Sequence, residues 1–238
     1  MQEKFCISLS SIPSRFQSVK EVINSLNRQT IKPDNIFLNI PFTYERFPKI
    51  KDVNIDTFKD IKDSNFQIIR CKDYGPGTKL LGSISLLKNF DYVILADDDH
   101  SYHPRMCEIL NKYFRLNKEQ AYSFFTVKIY DLIMGQGADG FLINSNHLEG
   151  ILDFYNKYVK NYKYCFLNDD FWISFFLKKF KNKQVCSLED VVMKEINEKY
   201  IYKKINYEQP LHKIYNSIFT RRNYAKYDYL RILFQNFF

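Results

Sequence analysis

The chain has 238 residues, which is enough for one α/β domain with a sizeable buried core. Its composition, 45% hydrophobic and 17% aromatic, is that of a globular protein. No apolar run reaches the length of about 18 residues that a membrane-spanning helix needs, so no such helix is expected. The net charge of +8 favours anionic partners such as phosphates, nucleic acid or an acidic membrane face, and a solvated lysine-rich surface explains it equally well.

The five cysteines are widely separated along the chain, at Cys6, Cys71, Cys107, Cys165 and Cys186. This spacing indicates neither a disulfide framework nor a zinc site. Interpreted as reduced thiols, they predict a cytosolic protein. The first residues lead into a strand-like segment without the basic and apolar regions of a signal peptide, which favours the same location.

The first half of the chain alternates predicted strands with helical patterns. Strands are predicted at 5–9, 36–40, 66–70 and 92–96, the last continuously apolar. Apolar residues recur at helical spacing over 19–26 and 80–87, and residues 42–64 form a long polar connection that can include a short helix. Strands that alternate with helices predict a mostly parallel sheet with right-handed crossovers and helices on both faces.

Three loops of this first half follow predicted strands, at 10–15, 73–79 and 97–103. In a parallel sheet the carboxyl ends of the strands meet at one edge, where ligands bind. We therefore expect these three loops to gather into one ligand site.

The second half is less regular. Its pattern predicts a helix over 106–114, a strand over 122–129, a Gly-rich loop over 135–140 with a short strand after it, and helices near 148–155 and after 170. The tail from about residue 199 is rich in Tyr, Lys and Arg and has no clear period. We therefore predict a domain over 1–198 and an irregular aromatic and basic C-terminal extension over 199–238.

Three aspartates, Asp97, Asp98 and Asp99, end the most apolar strand. Adjacent carboxylates repel one another and persist where a cation or hydrogen-bond donors compensate them. Mg²⁺ and Mn²⁺ prefer carboxylate and phosphate oxygens, so the cluster predicts a metal–diphosphate site. The alternative is an acidic turn that caps the next helix near Pro104.

The loop over 73–79 has the residues of an anion site. Gly75 and Gly77 allow the backbone to approach a ligand closely, and Lys79 can neutralise a phosphate at the N-terminus of the following helix. A simple strand-to-helix turn with a solvated lysine is the alternative.

A second acidic pair, Asp169 and Asp170, precedes an apolar helix. A carboxylate in the first turn of a helix stays ionised and can accept a proton from a hydroxyl. Helix capping alone, with Asn168 as the cap, would produce the same sequence.

Three further polar or aromatic residues are candidates with an alternative each. Asp139 can bind a sugar hydroxyl or stabilise a turn. Trp172 can stack on a sugar or lie in the core, which is the commoner place for Trp on an apolar helix face. His212 of the tail can supply a distal metal ligand or remain at the surface.

In their order along the chain these motifs resemble the GT-A glycosyltransferases of bacteria and viruses akin to family 2. The matching segments are 7–15, 73–80, 96–99 with Tyr102 and Pro104, 137–140 and 169–172. They cover about residues 5–180. The resemblance implies a single GT-A, Rossmann-like α/β domain that uses a nucleoside-diphosphate-sugar donor, Mn²⁺ or Mg²⁺, and a saccharide acceptor.

The resemblance also implies roles for individual residues. The donor would be bound by Ser10, Ile12, Arg15, Asp73, Gly75, Lys79, Asp97 and Asp98. The metal would be held by Asp99 and Asp97, with His212 as the candidate ligand from the tail. Asp170, in preference to Asp169, would be the base of a direct displacement that inverts the configuration of the sugar. The acceptor would meet Asp139, Gly140 and Trp172.

Two other classes of protein remain open from the sequence. A sugar-nucleotide nucleotidyltransferase also combines acidic residues with a metal, but residues 10–15 lack the glycine run expected of its N-terminal loop. A non-enzymatic binder of nucleic acid or membranes is favoured by the charge and by the basic, aromatic tail. For an enzyme we expect no nucleic-acid partner, and peripheral membrane contact through the tail is compatible with either class.

Overall fold

The computed structural model describes residues 3–51, 53–206 and 218–237, with the side chains of 222–235 in the last of these ranges. Its strands are β1 (Phe5–Ser10), β2 (Asn35–Pro41), β3 (Phe66–Cys71), β4 (Tyr92–Leu95), β5 (His100–Tyr102), β6 (Ala121–Ser123), β7 (Thr126–Ile129), β8 (Leu132–Gly135), β9 (Phe141–Asn144), β10 (Val185–Ser187) and β11 (Tyr202–Lys204). Its α-helices are α1 (Phe16–Asn27), α2 (Thr78–Leu81), α3 (Ile84–Leu87), α4 (Met106–Leu116), α5 (Ile151–Tyr158), α6 (Lys163–Phe166), α7 (Asp169–Phe180), α8 (Glu189–Val191) and α9 (Ile218–Phe237).

The central sheet has seven strands in the order β10-β6-β9-β4-β1-β2-β3. β3, β2, β1 and β4 are parallel to one another, and β10 is parallel to β6. β9 alone lies antiparallel to both of its neighbours, β4 and β6. The prediction of a mostly parallel sheet flanked by helices is therefore confirmed.

Two hydrophobic cores cover the two faces of this sheet. Side chains alternate along each strand, so that Ile7 and Leu9 of β1 join the core beneath α1 and α4, while Cys6 joins the core beneath α7. Every residue of β4 is buried, which agrees with its continuous apolar sequence. This packing fixes the strand ends, and with them the loops that carry the polar residues.

Two segments differ from their sequence patterns. The stretch predicted as one strand over 122–129 is divided between β6, in the central sheet, and β7, which pairs with β8 in a separate hairpin. The helical pattern over 80–87 is likewise divided between two short helices, α2 and α3. The long connection over 42–64 contains the 3-10 turn Asp56–Phe58, in agreement with the short helix considered there. An apolar pattern does not reveal where a strand leaves one sheet for another, because both environments bury the same side chains.

The C-terminal extension is not irregular throughout. β11 pairs antiparallel with β5, directly after the three aspartates, and α9 packs against α6. Ala225, Tyr229 and Ile232 of α9 are buried at helical spacing. Aromatic residues also occupy the outer face of this helix and hide its period in the sequence. Among the described residues, none of the helices combines the length and the apolar character that crossing a bilayer requires.

Candidate active site

A cleft of about 320 Å³ lies at the carboxyl ends of the parallel strands. It is lined by the loop 10–15 after β1, the loop 73–79 after β3, residues 97–100 after β4, the start of α7, and Tyr202 and Lys204 of β11. The three loops expected to converge thus lie around one cavity. Among the predicted donor-site residues, Ser10, Ile12, Arg15, Asp73, Gly75, Lys79, Asp97 and Asp98 all line it.

The three aspartates after β4 have different partners. Asp98 is buried and accepts hydrogen bonds from Ser11 Oγ at 2.5 Å and from Arg15 Nη1 at 2.7 Å. Burial raises the pKa of Asp98, and the charge of Arg15 opposes that increase. Asp98 therefore joins the loop after β1 to the loop after β4, in addition to lining the cleft.

Asp99 lies among several positive groups. Its Oδ2 is 3.3 Å from Arg15 Nη1 and 3.5 Å from Lys204 Nζ, and its Oδ1 is 2.9 Å from His100 Nδ1. Burial acts to raise the pKa of Asp99, but the contact with His100 and the charges of Arg15 and Lys204 outweigh it and lower the pKa below its usual range. Asp99 is thus an ionised carboxylate at neutral pH.

Asp97, Asp99 and His100 have the arrangement of a metal site. Each offers one ligand atom, and these atoms lie within 4.8 Å of one another. Asp99 Oδ1 and His100 Nδ1 are buried, and their contact lacks hydrogen-bond geometry. Their separation of 2.9 Å is close to the distance of about 3 Å between neighbouring ligands of an octahedral ion. The two carboxylates suit Mn²⁺ or Mg²⁺ and the imidazole suits a transition-metal ion, so the residues present fit a divalent cation, with Mn²⁺ preferred to Mg²⁺.

Lys79 connects the two acidic clusters. Its ammonium, buried at the start of α2, contacts Asp97 Oδ1 and lies 3.0 Å from Asp169 Oδ2. Burial acts to lower the pKa of Lys79, but the charges of Asp169 and Asp97 raise it well above its ordinary value. The ammonium therefore holds a permanent positive charge between the two carboxylates.

Asp73 organises the loop that precedes α2. One of its carboxylate oxygens accepts a hydrogen bond from Glu45 N at 2.7 Å, and the other accepts one from Gly75 N at 2.8 Å. Gly75 has φ of +61°, and a Cβ there would lie 2.6 Å from the ring of Phe166. The glycine is thus required for turn conformation and close packing, and Gly75 still borders the cleft.

Asp169 and Asp170 begin α7, and both line the cleft. Asp169 lies against Lys79, whereas Asp170 Oδ1 accepts a hydrogen bond from Gly137 N at 2.9 Å. A Cβ on Gly137 would lie 2.6 Å from Lys79 Nζ. The Gly-rich loop after β8 therefore fits closely against both the lysine and the second acidic pair.

The three residues predicted to meet an acceptor lie behind this surface. Asp139 and Gly140 do not line the cleft, although their neighbour Ala138 does. Burial, reinforced by the charges of Asp170 and Asp97, raises the pKa of Asp139 to about 8. Trp172 is 0% exposed and packs on Tyr155. A fully buried indole offers no face to a sugar, so Trp172 is a core residue.

Several cleft residues were not predicted from the sequence. Those with polar side chains that bear on the site include Ser11, Tyr44, Arg46, His100, Tyr202 and Lys204. Ser11 and His100 adjoin predicted residues, and that adjacency was the available signal. Tyr202 and Lys204 reach the cleft only through the pairing of β11 with β5, which no local pattern in the tail indicates. The predicted ligand His212 lies outside the described residues.

Comparison with known proteins finds a similarity of fold to solved structures and none of sequence family. No family model matches the sequence, and no curated protein sequence matches it. The fold is similar to that of the mannosyltransferase PcManGT from Pyrobaculum calidifontis in complex with GDP-Man and Mn²⁺, with a TM-score of 0.63 and 9% identity. The similarity covers 99% of this chain and 65% of that one, so this chain spans just under two thirds of its length.

A second similar structure is S. aureus TarS 1–349 in complex with UDP-GlcNAc. Here the TM-score is 0.52 with 12% identity, over 98% of this chain and 73% of that one. At such low identities the similarity establishes a common fold, and the activity of this chain depends on the residues in its own cleft.

Proposed function

We propose that this chain is a metal-dependent glycosyltransferase that moves a sugar from a nucleoside-diphosphate sugar to a hydroxyl acceptor. The observation that carries the proposal is a single cleft with two acidic clusters joined by the buried Lys79. One cluster has the composition of a divalent-metal site, and the other includes Asp170, whose carboxylate lines the cleft and is oriented by the Gly137 amide. The shared fold with proteins solved in complex with GDP-Man or UDP-GlcNAc supports this class of donor.

The donor would lie along the loops that follow β1, β3 and β4. Arg15 and Lys79 would provide positive charge near the phosphates, although both also neutralise aspartates. Asp73 and the loop after β1 would lie at the nucleoside. A divalent ion held by Asp97, Asp99 and His100 would supply Lewis-acid stabilisation of charge on the departing diphosphate.

Asp170 is the better candidate for the catalytic base. Asp169 Oδ2 is 3.0 Å from the ammonium of Lys79, so this carboxylate is directed towards the lysine. Asp170 is oriented by the Gly137 amide and lines the cleft. In the proposed reaction the acceptor oxygen bonds to the anomeric carbon, its proton passes to Asp170, and the bond to the diphosphate breaks with inversion.

The test is a thermal-shift screen of nucleoside-diphosphate sugars with Mn²⁺ and with a chelator, followed by turnover of the donor that binds. Asp99→Ala should abolish metal-dependent donor binding. Asp170→Asn should abolish transfer but leave donor binding nearly unchanged, and Asp153→Asn, on the exposed surface of α5, is the matched control. Full turnover by Asp170→Asn would contradict the assignment of the base. Release of pyrophosphate from a nucleoside triphosphate and a sugar 1-phosphate, without release of nucleoside diphosphate from the donor, would identify nucleotidyl transfer.

We also propose that the outer face of α9 contacts an anionic membrane surface. Three large apolar side chains at helical spacing are exposed there, Tyr227, Leu230 and Phe234. Arg222 and Lys226 are exposed beside them. The acidic residue of this helix, Asp228, is buried and paired with Arg231 at 2.9 Å. An apolar stripe flanked by positive charge suits a lipid interface with acidic headgroups.

Co-sedimentation with lipid vesicles tests this contact. Binding should require phosphatidylserine in a phosphatidylcholine vesicle and should weaken in Phe234→Ser and in Lys226→Glu. Leu116→Ser removes an exposed apolar residue from α4 and should have no effect. Equal binding by all three variants would refute the contact.

A further inference from the structure

The C-terminal extension adds a cation to the cleft. β11 pairs antiparallel with β5, and its register sets Lys204 opposite His100. Side chains alternate along a strand, so Tyr202 and Lys204 point into the cleft, whereas Lys203 is exposed to solvent. Lys204 Nζ lies 3.5 Å from Asp99 Oδ2, and about a quarter of the lysine side chain (27%) is exposed.

The backbone beside Lys204 is fixed to the acidic loop. Ile205 N donates a hydrogen bond to the carbonyl oxygen of Asp99 at 2.9 Å, and His103 N donates one to the carbonyl oxygen of Ile201 at 2.8 Å. Asn206 Nδ2 donates to Ser18 Oγ of α1 at 2.9 Å. The segment 201–206 is therefore held on both sides of Lys204, and the fold determines where the backbone of this residue lies beside the cleft.

We propose that Lys204 is a donor-binding residue whose ammonium contacts the diphosphate. The inference rests on the proposed function of the cleft. Arg15 approaches the same oxygen of Asp99 at 3.3 Å, so Asp99 does not depend on Lys204 alone for compensation of its charge. A lysine has three donors on a flexible stem and can reach a phosphate oxygen while it stays close to the aspartate. The C-terminal extension thus takes part in recognition of the diphosphate.

The test compares nucleotide binding by Lys204→Gln and Lys203→Gln in the full chain. Isothermal titration calorimetry with Mn²⁺ is carried out with UDP and GDP, and then with UMP or GMP of the base that binds. Loss of a charged contact should weaken diphosphate binding about 10- to 100-fold in Lys204→Gln. Binding of the monophosphate should change far less. Lys203→Gln changes the same charge one residue away and should bind as the unsubstituted chain does.

Two results would overturn the proposal, and they are distinguishable from each other. Equal losses for the diphosphate and the monophosphate in Lys204→Gln would show that Lys204 only stabilises Asp99. Unchanged diphosphate binding in this variant would show that it does not contact the donor. If the unsubstituted chain binds neither UDP nor GDP, the donor site itself is refuted. Thermal unfolding without nucleotide verifies that each variant is folded, and Lys204→Arg should restore most of the affinity.

Discussion

Replacement of Lys79 by methionine should destabilise the protein strongly. Methionine keeps most of the volume of the side chain but removes the charge that lies between Asp97 and Asp169. Breaking a buried ion pair from one side typically costs about 3–5 kcal/mol, because the remaining charge is left without compensation. Asp169 is buried, with 4% of its side chain exposed, whereas Asp97 is 30% exposed and can be partly solvated. We therefore expect a loss at the lower end, about 3 kcal/mol.

Urea denaturation in the presence of EDTA measures this loss, since EDTA prevents a divalent ion from replacing the ammonium. The matched control is Lys59→Met, which removes the exposed pair with Asp56 and should cost at most about 0.5 kcal/mol. Asp169→Asn in the Lys79→Met background should recover stability, with a coupling of at least about 1 kcal/mol. If Lys79→Met is no more destabilising than Lys59→Met, the two clusters do not depend on this lysine.

Three further predictions concern residues around the cleft. The pKa of Asp139, about 8, is higher than that of a carboxyl in the unfolded chain. The folded state therefore binds more protons than the unfolded state, and its stability falls as the pH rises towards 8. Asp139→Asn should flatten this decline, measured by thermal unfolding between about pH 5 and pH 9. Gly77→Ala places a Cβ 2.5 Å from Trp172 and should cost about 1–3 kcal/mol in urea, partly recovered by Trp172→Phe. Tyr102→Phe removes the hydroxyl that accepts a hydrogen bond from Asp97 N at 2.7 Å and should cost about 1–2 kcal/mol, measured in the same way.

The results that would contradict these three predictions are equally specific. An Asp139→Asn variant with an unchanged pH profile would show that this carboxyl titrates normally. A Gly77→Ala variant as stable as the unsubstituted chain would mean that the indole moves without cost. A Tyr102→Phe variant as stable as the unsubstituted chain would mean that another group accepts the hydrogen bond of the Asp97 amide.

The amino-acid sequence was sufficient to predict the fold class and the residues gathered at the strand ends. Largely apolar segments predicted β1 and β2, and a continuous apolar run predicted β4, because strands covered on both faces need no polar alternation. The ends of parallel strands lie at one edge by geometry, so polar residues after β1, β3 and β4 had to be neighbours. These inferences depend only on local pattern and on a general rule of sheet topology.

The tertiary structure decided how those residues are paired. Lys79 meets Asp169 across 90 positions of sequence, and Lys204 reaches Asp99 through a strand pairing that joins the tail to the acidic loop. The antiparallel course of β9 likewise depends on its two neighbours in the sheet. Such contacts arise from packing between distant segments, and no period in a single segment encodes them.

Burial was the other property that only the folded chain revealed. Trp172 on an apolar helix face was compatible with a sugar platform or with the core, and the packing of α7 against α5 places it in the core. Asp139 was compatible with a sugar contact or with a turn, and the folded chain buries it close to other carboxylates. The sequence therefore determined which chemical groups are available at the cleft, and long-range packing determined which of them face it and which charges each one meets.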